Sequence, residues 1–295
     1  TGRAYDWYNV GKLRNSGFEF DLNVKLIQKK DWYWDMSVNG YTYANKMLNL
    51  PDEYKVSGMP NGNQRIYEGK DIYRWEMRQV AGLDEKGNSL WYMDRDLTDG
   101  EGNVVGVEKV TTGDATEATQ YLLEKSALPD FTGGLNTTLR WKSLDLTIMT
   151  NFQFGGYGYD YDFSAFSSAN FPMNRLKNYA DAWNPETGKG SAPIWNTNDS
   201  NINASSDRFL ISKTYFNLRN ITLGYTFPAH WMSKIGIKSV RVYFACDNVF
   251  FASKRKGYDP RTSMGGQGAT VALNSVDGTY YSPIRTTSVG LNINF

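Results

Sequence analysis

The sequence has a single cysteine, Cys246, and a single histidine, His230. One thiol excludes an internal disulfide framework, and one imidazole excludes a His-rich metal site. Neither sign of charge is in excess: 32 Lys and Arg stand against 31 Asp and Glu. No strong field therefore draws the chain to nucleic acid or to an anionic surface. No run approaches the roughly 18 apolar residues of a membrane helix, and the mean hydropathy is negative. Proline is sparse. What is plentiful is aromatic, with 20 Tyr, 15 Phe and 9 Trp, alongside 28 Gly. Alternating strands with aromatic ends and Gly-rich turns give that mixture, and they conceal membrane strands from hydropathy averages.

Strand patterns are clean. Over 17–27, Phe18, Phe20, Leu22, Val24 and Leu26 alternate with Glu19, Asp21, Asn23 and Lys25, the period of two that puts the sets on opposite faces. After a tight turn at 28–31, Trp32, Trp34, Met36 and Val38 share one face. Leu135, Thr137, Leu139 and Trp141 then lead through a turn at Lys142–Ser143 to Leu144, Leu146, Ile148, Thr150, Phe152 and Phe154. Further runs follow at Ile221–Phe227, Val240–Cys246 and Val289–Phe295. The stretch 66–110 carries strand signals near 70–81, 88–95 and 103–110, for a total of about eight or nine strands.

A soluble sandwich gives the same alternation. Two features favour a membrane barrel. The turns at 28–31, 142–143 and about 229–238 are short, while the connections 46–68, 156–207 and 253–280 are long. An up-and-down path then puts every short turn at one end, as in outer-membrane barrels. Aromatic rings also gather beside the short turns, at Trp32, Trp34, Trp141, Phe227 and Trp231, where a membrane interface suits them. The fold class expected is all-β, an antiparallel transmembrane barrel. Eight strands close a small barrel, but loops this long suit one section of a wider wall. Open edges are not tolerated in lipid, so preceding strands must pair with both sides. Exported proteins need a leader, and the chain opens at Thr1 without one. Residues 1–295 therefore read as one carboxyl-terminal portion whose true amino terminus is missing.

No catalytic constellation emerges, and an enzyme is not expected. His230 follows Pro228 at a short turn, and Cys246 continues an apolar alternation, so neither resembles a triad member or nucleophile. Gly265-Gly266-Gln267-Gly268 lacks the strand-to-helix context of a phosphate loop. Asp94-Arg95-Asp96-Leu97-Thr98-Asp99-Gly100 fails the calcium-loop template, with Gly displaced and Val105 where Glu belongs. Cofactor and metal are both read as none.

Several segments together resemble the carboxyl-terminal region of SusC/RagA-like TonB-dependent outer-membrane transporters of Bacteroidetes. They are Asn15-Ser16-Gly17-Phe18-Glu19, Ala127-Leu128-Pro129-Asp130-Phe131-Thr132-Gly133-Gly134, and 144–160. Further on come Phe209-Leu210 with Tyr215–Tyr225, Asp247-Asn248-Val249-Phe250, Gly257-Tyr258-Asp259-Pro260 and Tyr281-Ser282-Pro283-Ile284-Arg285. Their shared order and spacing carry the likeness. Ser288, Gly290, Ile293 and Phe295 are similar to the terminal signal read by barrel-assembly machinery, and Gly290 is expected to allow close backbone approach.

The resemblance implies a barrel of about 22 strands around a plug, placed in the bacterial outer membrane among its lipids. Plug and TonB-contacting segment would precede these residues, and the TonB complex would act through that missing part. A SusD-like lipoprotein would form a lid, and a dimer of SusC–SusD pairs is allowed. The implied activity is TonB-energised import of oligosaccharides, or less often peptides. Aromatic faces stack on sugar rings, so Trp91, Tyr92, Tyr157, Tyr159, Tyr161, Trp183 and Trp195, all in or beside long loops, are candidate substrate contacts. Rival readings are a non-transporting glycan-binding sandwich and a passive porin.

Overall fold

A computed structural model of the chain describes residues 11–167, 177, 181–195, 200–232, 234, 236–254, 259–261 and 283–295. Two long strands come first, β1 (Lys12–Gln28) and β2 (Trp32–Asn49). Shorter ones occupy the next connection: β3 (Met59–Asn61), β4 (Gln64–Ile66), β5 (Arg74–Arg78), β6 (Val80–Leu83), β7 (Ser89–Thr98), β8 (Val104–Thr112) and β9 (Gln120–Ser126). A second long pair follows, β10 (Phe131–Trp141) and β11 (Leu144–Phe154). Then come β12 (Tyr157–Tyr159), helix α1 (Tyr161–Phe166) and β13 (Leu210–Ser212). The chain ends with β14 (Tyr215–Thr226), helix α2 (Ala229–Met232), β15 (Ser239–Ser253) and β16 (Thr286–Asn294).

The long strands form one seven-stranded sheet in the order β1-β2-β10-β11-β14-β15-β16, every pair antiparallel. Short turns join β1 to β2, β10 to β11 and β14 to β15. All long connections leave from the opposite end, as the loop lengths require.

Fewer strands enter this sheet than the eight or nine expected. Those anticipated near 70–81, 88–95 and 103–110 do form, but outside the wall, in a sheet β3-β4-β5-β9 and a sheet β6-β7-β8. The first long connection consequently starts after Asn49 and lasts until Phe131. A smaller part of 156–207 and most of 253–280 lie outside the described residues, as do Gly265 to Gly268, Gly257-Tyr258 and Tyr281-Ser282.

Register sorts the wall into two chemically distinct faces. One face carries cross-strand rows such as Val24, Met36, Thr137, Ile148, Ile221 and Cys246, and Trp34, Leu139, Leu146, Leu223, Phe244 and Val289. These residues are not packed away: Leu223 is 48% exposed and Val289 75%. The other face reads Asp35, Thr138, Thr147, Thr222, Ala245 and Ser288 along one row. An apolar face of this breadth left open to solvent is unlike a soluble protein surface, and it is the pattern of a wall against lipid.

The buried core sits elsewhere, in the connections. Trp75, Met77, Leu123, Ala127, Tyr159, Phe209 and Leu210 form one cluster. Met47, Leu50 and Ile66 form a second, and Trp91, Ala115 and Ala118 a third. The first joins residues from both sides of the β10–β11 hairpin in sequence. Val80 N donates to Asp207 Oδ1 at 3.0 Å and Trp75 Nε1 to the Tyr157 carbonyl at 3.0 Å, so two long connections fold as one body.

Candidate functional site

Aromatic rings bracket the apolar face. At the short-turn end Trp32 and Trp141 stand opposite in register with ring centroids 5.6 Å apart, and Trp231 on α2 is exposed beside that end. Toward the loops, Phe20, Phe131, Phe152 and Phe154 stack at centroid distances of 5.6–6.5 Å. Phe131 lies where a side chain at Gly40 would stand, its Cζ 2.4 Å from that ideal Cβ. The paired glycines Gly40 and Gly133 leave a trough that the ring fills. From Trp32 to Thr42 the strand covers about 33 Å, or about 25 Å of height at the usual barrel tilt, which matches an apolar band about 25 Å tall.

The opposite face is polar and closely fitted. Arg241 grips Asp145 through Nε at 3.0 Å and through Nη2, passing over Gly224, where an added Cβ would lie 2.3 Å from the guanidinium. Tyr243 lies over Gly290 in the same way, with its ring 2.1 Å from an added Cβ. Backbone approach was expected at Gly290, and the atoms nearest an added Cβ there are those of the Tyr243 side chain. Ser288 and Ile293 pair with Ala245 and Val240, and Phe295 is 77% exposed just past β16. Among the described residues, β16 pairs with β15 alone.

Three recognisable segments converge at one point beside β15. Asn248, at φ 50° where the β14–β15 register shifts, donates from Nδ2 to the Ile284 carbonyl at 2.9 Å. It accepts from Arg261 Nη1 at 3.4 Å. Arg261 makes a two-pronged pair with buried Asp259 at 2.9 and 2.7 Å and lies over Phe251. Arg285 Nη2 donates to the Val249 carbonyl at 2.6 Å.

The candidate substrate aromatics separate by burial. Trp91 is wholly buried, with the Arg208 guanidinium 5.7 Å over its ring. Tyr159 is 4% exposed, its centroid 4.5 Å from Tyr161 and 5.8 Å from Phe209, and burial drives the Tyr161 hydroxyl up to about 12. Tyr92 offers its face to the Lys109 ammonium at 4.2 Å. The same ammonium is 4.4 Å from Tyr121, whose hydroxyl rises to about 12 through burial and its bond to Asp94. Trp183 is wedged against Gly87, within 2.2 Å of an ideal Cβ there. Tyr157 lines a groove of about 910 Å³, and Trp195 is 44% exposed. Tyr159 and Tyr161 come together with Tyr157 around the largest loop cluster, whereas Trp91 belongs to a separate one.

A repeated device escaped the reading of the sequence. Asp84-Glu85-Lys86-Gly87-Asn88 and Asp99-Gly100-Glu101-Gly102-Asn103 share the spacing D-x-x-G-N. In each, the Asp Oδ1 accepts the backbone N–H groups two and four residues on, at 2.7–2.9 Å, and Oδ2 accepts the Asn amide. The glycines take φ 82° and 88°, which side chains rarely adopt. These carboxylates organise hairpin turns.

No family model matches the chain. It is 26% identical over its whole length to TonB-dependent receptor P3 of Formosa agariphila, covering 30% of that protein. It is 26% identical over 97% of its length to TonB-dependent receptor SusC of Bacteroides thetaiotaomicron, covering 27% of it. It superposes on the RagAB peptide transporter with a TM-score of 0.71 at 26% identity, over 88% of this chain and 28% of that one. The likeness to SusC/RagA-like TonB-dependent transporters thus extends across the chain, which spans about 30% of the relatives' length.

Proposed function

We propose that these residues form part of the wall and the outer loops of an outer-membrane nutrient importer driven by the TonB system. The observation that carries this reading is the inversion of burial, with an exposed apolar face on the wall and a packed core in the loops. Plug, TonB-contacting segment and remaining strands would come from the rest of the protein, and a SusD-like lipoprotein would close the outer mouth. Residues here would admit cargo by binding and conformational opening, without chemistry on it.

Oligosaccharide is the cargo we favour, because Trp195 is partly exposed and Tyr157 lines a groove with polar neighbours, a setting in which aromatic rings suit sugars. The test is calorimetric titration of the full-length transporter with its lipoprotein, using oligosaccharides and mixed peptides in parallel. Trp195→Ala is expected to weaken oligosaccharide binding about fivefold, on the order of 1 kcal/mol. Peptide import is the second reading, favoured by the likeness to the RagAB peptide transporter. Binding of peptides with no response to any oligosaccharide would replace the first reading by the second.

A further inference from the structure

Arg14 of β1 and Lys46 of β2 stand directly opposite each other in register. Like charges in that position repel and destabilise a sheet, so their pairing asks for a reason. Both belong to the apolar face: Arg14 and Ser16 continue the alternation of Phe18, Phe20 and Leu22, and Lys46 and Ala44 that of Val38 and Met36. They lie beyond the ring of phenylalanines. Thr42, opposite Phe18, marks the top of the band, and Lys46 is four residues further on, about 10 Å higher at the usual tilt. Lipid head groups occupy about 5–8 Å on each side of a hydrocarbon core, so two long cationic side chains rooted just above that layer are within reach of it.

The two cations share the groove of about 910 Å³ with Lys70 and Arg74, and with the acids Asp71, Glu124 and Asp130. Two of the acids are already engaged. Arg74 Nε donates to Asp71 at 3.2 Å and its Nη1 to Glu124, and Asp71 also accepts from Ser126 Oγ at 2.7 Å. The Arg74 bond holds the Glu124 carboxyl below its usual range, and Lys70 contributes to that. Arg14, Lys46 and Lys70 are all exposed. Among the described residues, none of these three makes an ion pair or a side-chain hydrogen bond. With Asp130 the remaining acid, an excess of positive charge faces the surface just above the apolar band.

We propose that Arg14, Lys46 and Lys70 form a binding site for the phosphate head group of a membrane lipid, held against the outside of the wall. An anion between Arg14 and Lys46 converts their repulsion into two charge-assisted hydrogen bonds, while the acyl chains lie along Phe18, Phe20 and Leu22. The site rests on the membrane placement proposed above and is independent of cargo.

The test uses the full-length transporter purified in detergent and titrated with three probes: phosphatidic acid, phosphatidylcholine and inorganic phosphate. Bound lipid is counted by native mass spectrometry. Phosphatidic acid is expected to bind in preference to phosphatidylcholine, without displacement by inorganic phosphate. Arg14→Gln with Lys46→Gln is expected to weaken it about twenty-five-fold, from about fivefold for each surface cation removed. Lys29→Gln with Lys30→Gln, which removes two cations at the other end of the same hairpin, is expected to leave it unchanged. Lys46→Gln alone, at an exposed position, gives a fivefold loss and serves if the double variant does not assemble. Equal retention by the Arg14/Lys46 variants and the parent overturns the proposal, and so does full competition by inorganic phosphate. Oligosaccharide or peptide titration of the same variants reads the cargo site separately, so failure of one reading is distinguishable from failure of the other.

Discussion

At Gly290 a missing side chain has structural value. The Tyr243 ring occupies the space a Cβ would need, and Gly224 on the other side of Tyr243 is covered by the Arg241–Asp145 pair. Gly290→Leu must displace the ring or bend β16, a strain of about 1–3 kcal/mol. The expected outcome is a lower unfolding midpoint for the folded barrel, followed by heat-dependent migration on gels. Asp99 makes a prediction in pH. Its carboxyl is held below the ordinary aspartate range, first by the Asn103 backbone N–H and then by the Asn103 amide. Because the folded value is the lower one, the turn is fully stabilised above the unfolded aspartate's range and loses that stabilisation as pH falls through the depressed value. The protection factors of the Glu101 and Asn103 amides, the intrinsic exchange rate at each pH divided by the observed one, are expected to fall over that acid window, and to be low at all pH values in Asp99→Ala.

The wall strands were legible element by element, because lipid on one side and polar groups on the other impose the period-two pattern that β10, β11 and β14 display. Their turns were legible too, down to the two residues Lys142 and Ser143. The signals near 70–81, 88–95 and 103–110 anticipated β5 to β8 while β9 was missed, and alternation says nothing about which sheet a strand joins. β5 pairs with β9 across the intervening β6-β7-β8 sheet, a non-local choice without a local signal. The same limit applies to the loop aromatics: Trp91 and Trp195 look alike in sequence, and packing alone makes one a core residue and leaves the other exposed. The two faces of β14 offer a direct contrast. Ile221→Arg puts a charge near the middle of the apolar band and is expected to cost about 2–4 kcal/mol in urea unfolding from phospholipid vesicles. Thr222→Arg, one residue on and facing the polar row, is expected to cost much less. Equal penalties would remove the assignment of faces.

Across the whole molecule, two structures with opposite solvents are joined. The wall needs lipid outside it, and the loop body needs water around a core of its own. Trp75 touches both loops of that body, through its ring in the cluster with Phe209 and Leu210 and its Nε1 bond to the Tyr157 carbonyl. Trp75→Ala is expected to destabilise the loop body by about 3–5 kcal/mol while the wall persists. Limited proteolysis of the inserted protein would then cleave within 50–130 and 155–214, leaving the membrane-protected strands intact. This interlocking has a consequence for inheritance and for recognition by antibodies. A recombination event that replaced one of these two connections would leave the other with half a core, so they must be exchanged between related proteins as a pair. For the same reason, serum raised against a peptide copied from the Trp75 or Phe209 segment would meet those side chains buried in the folded protein.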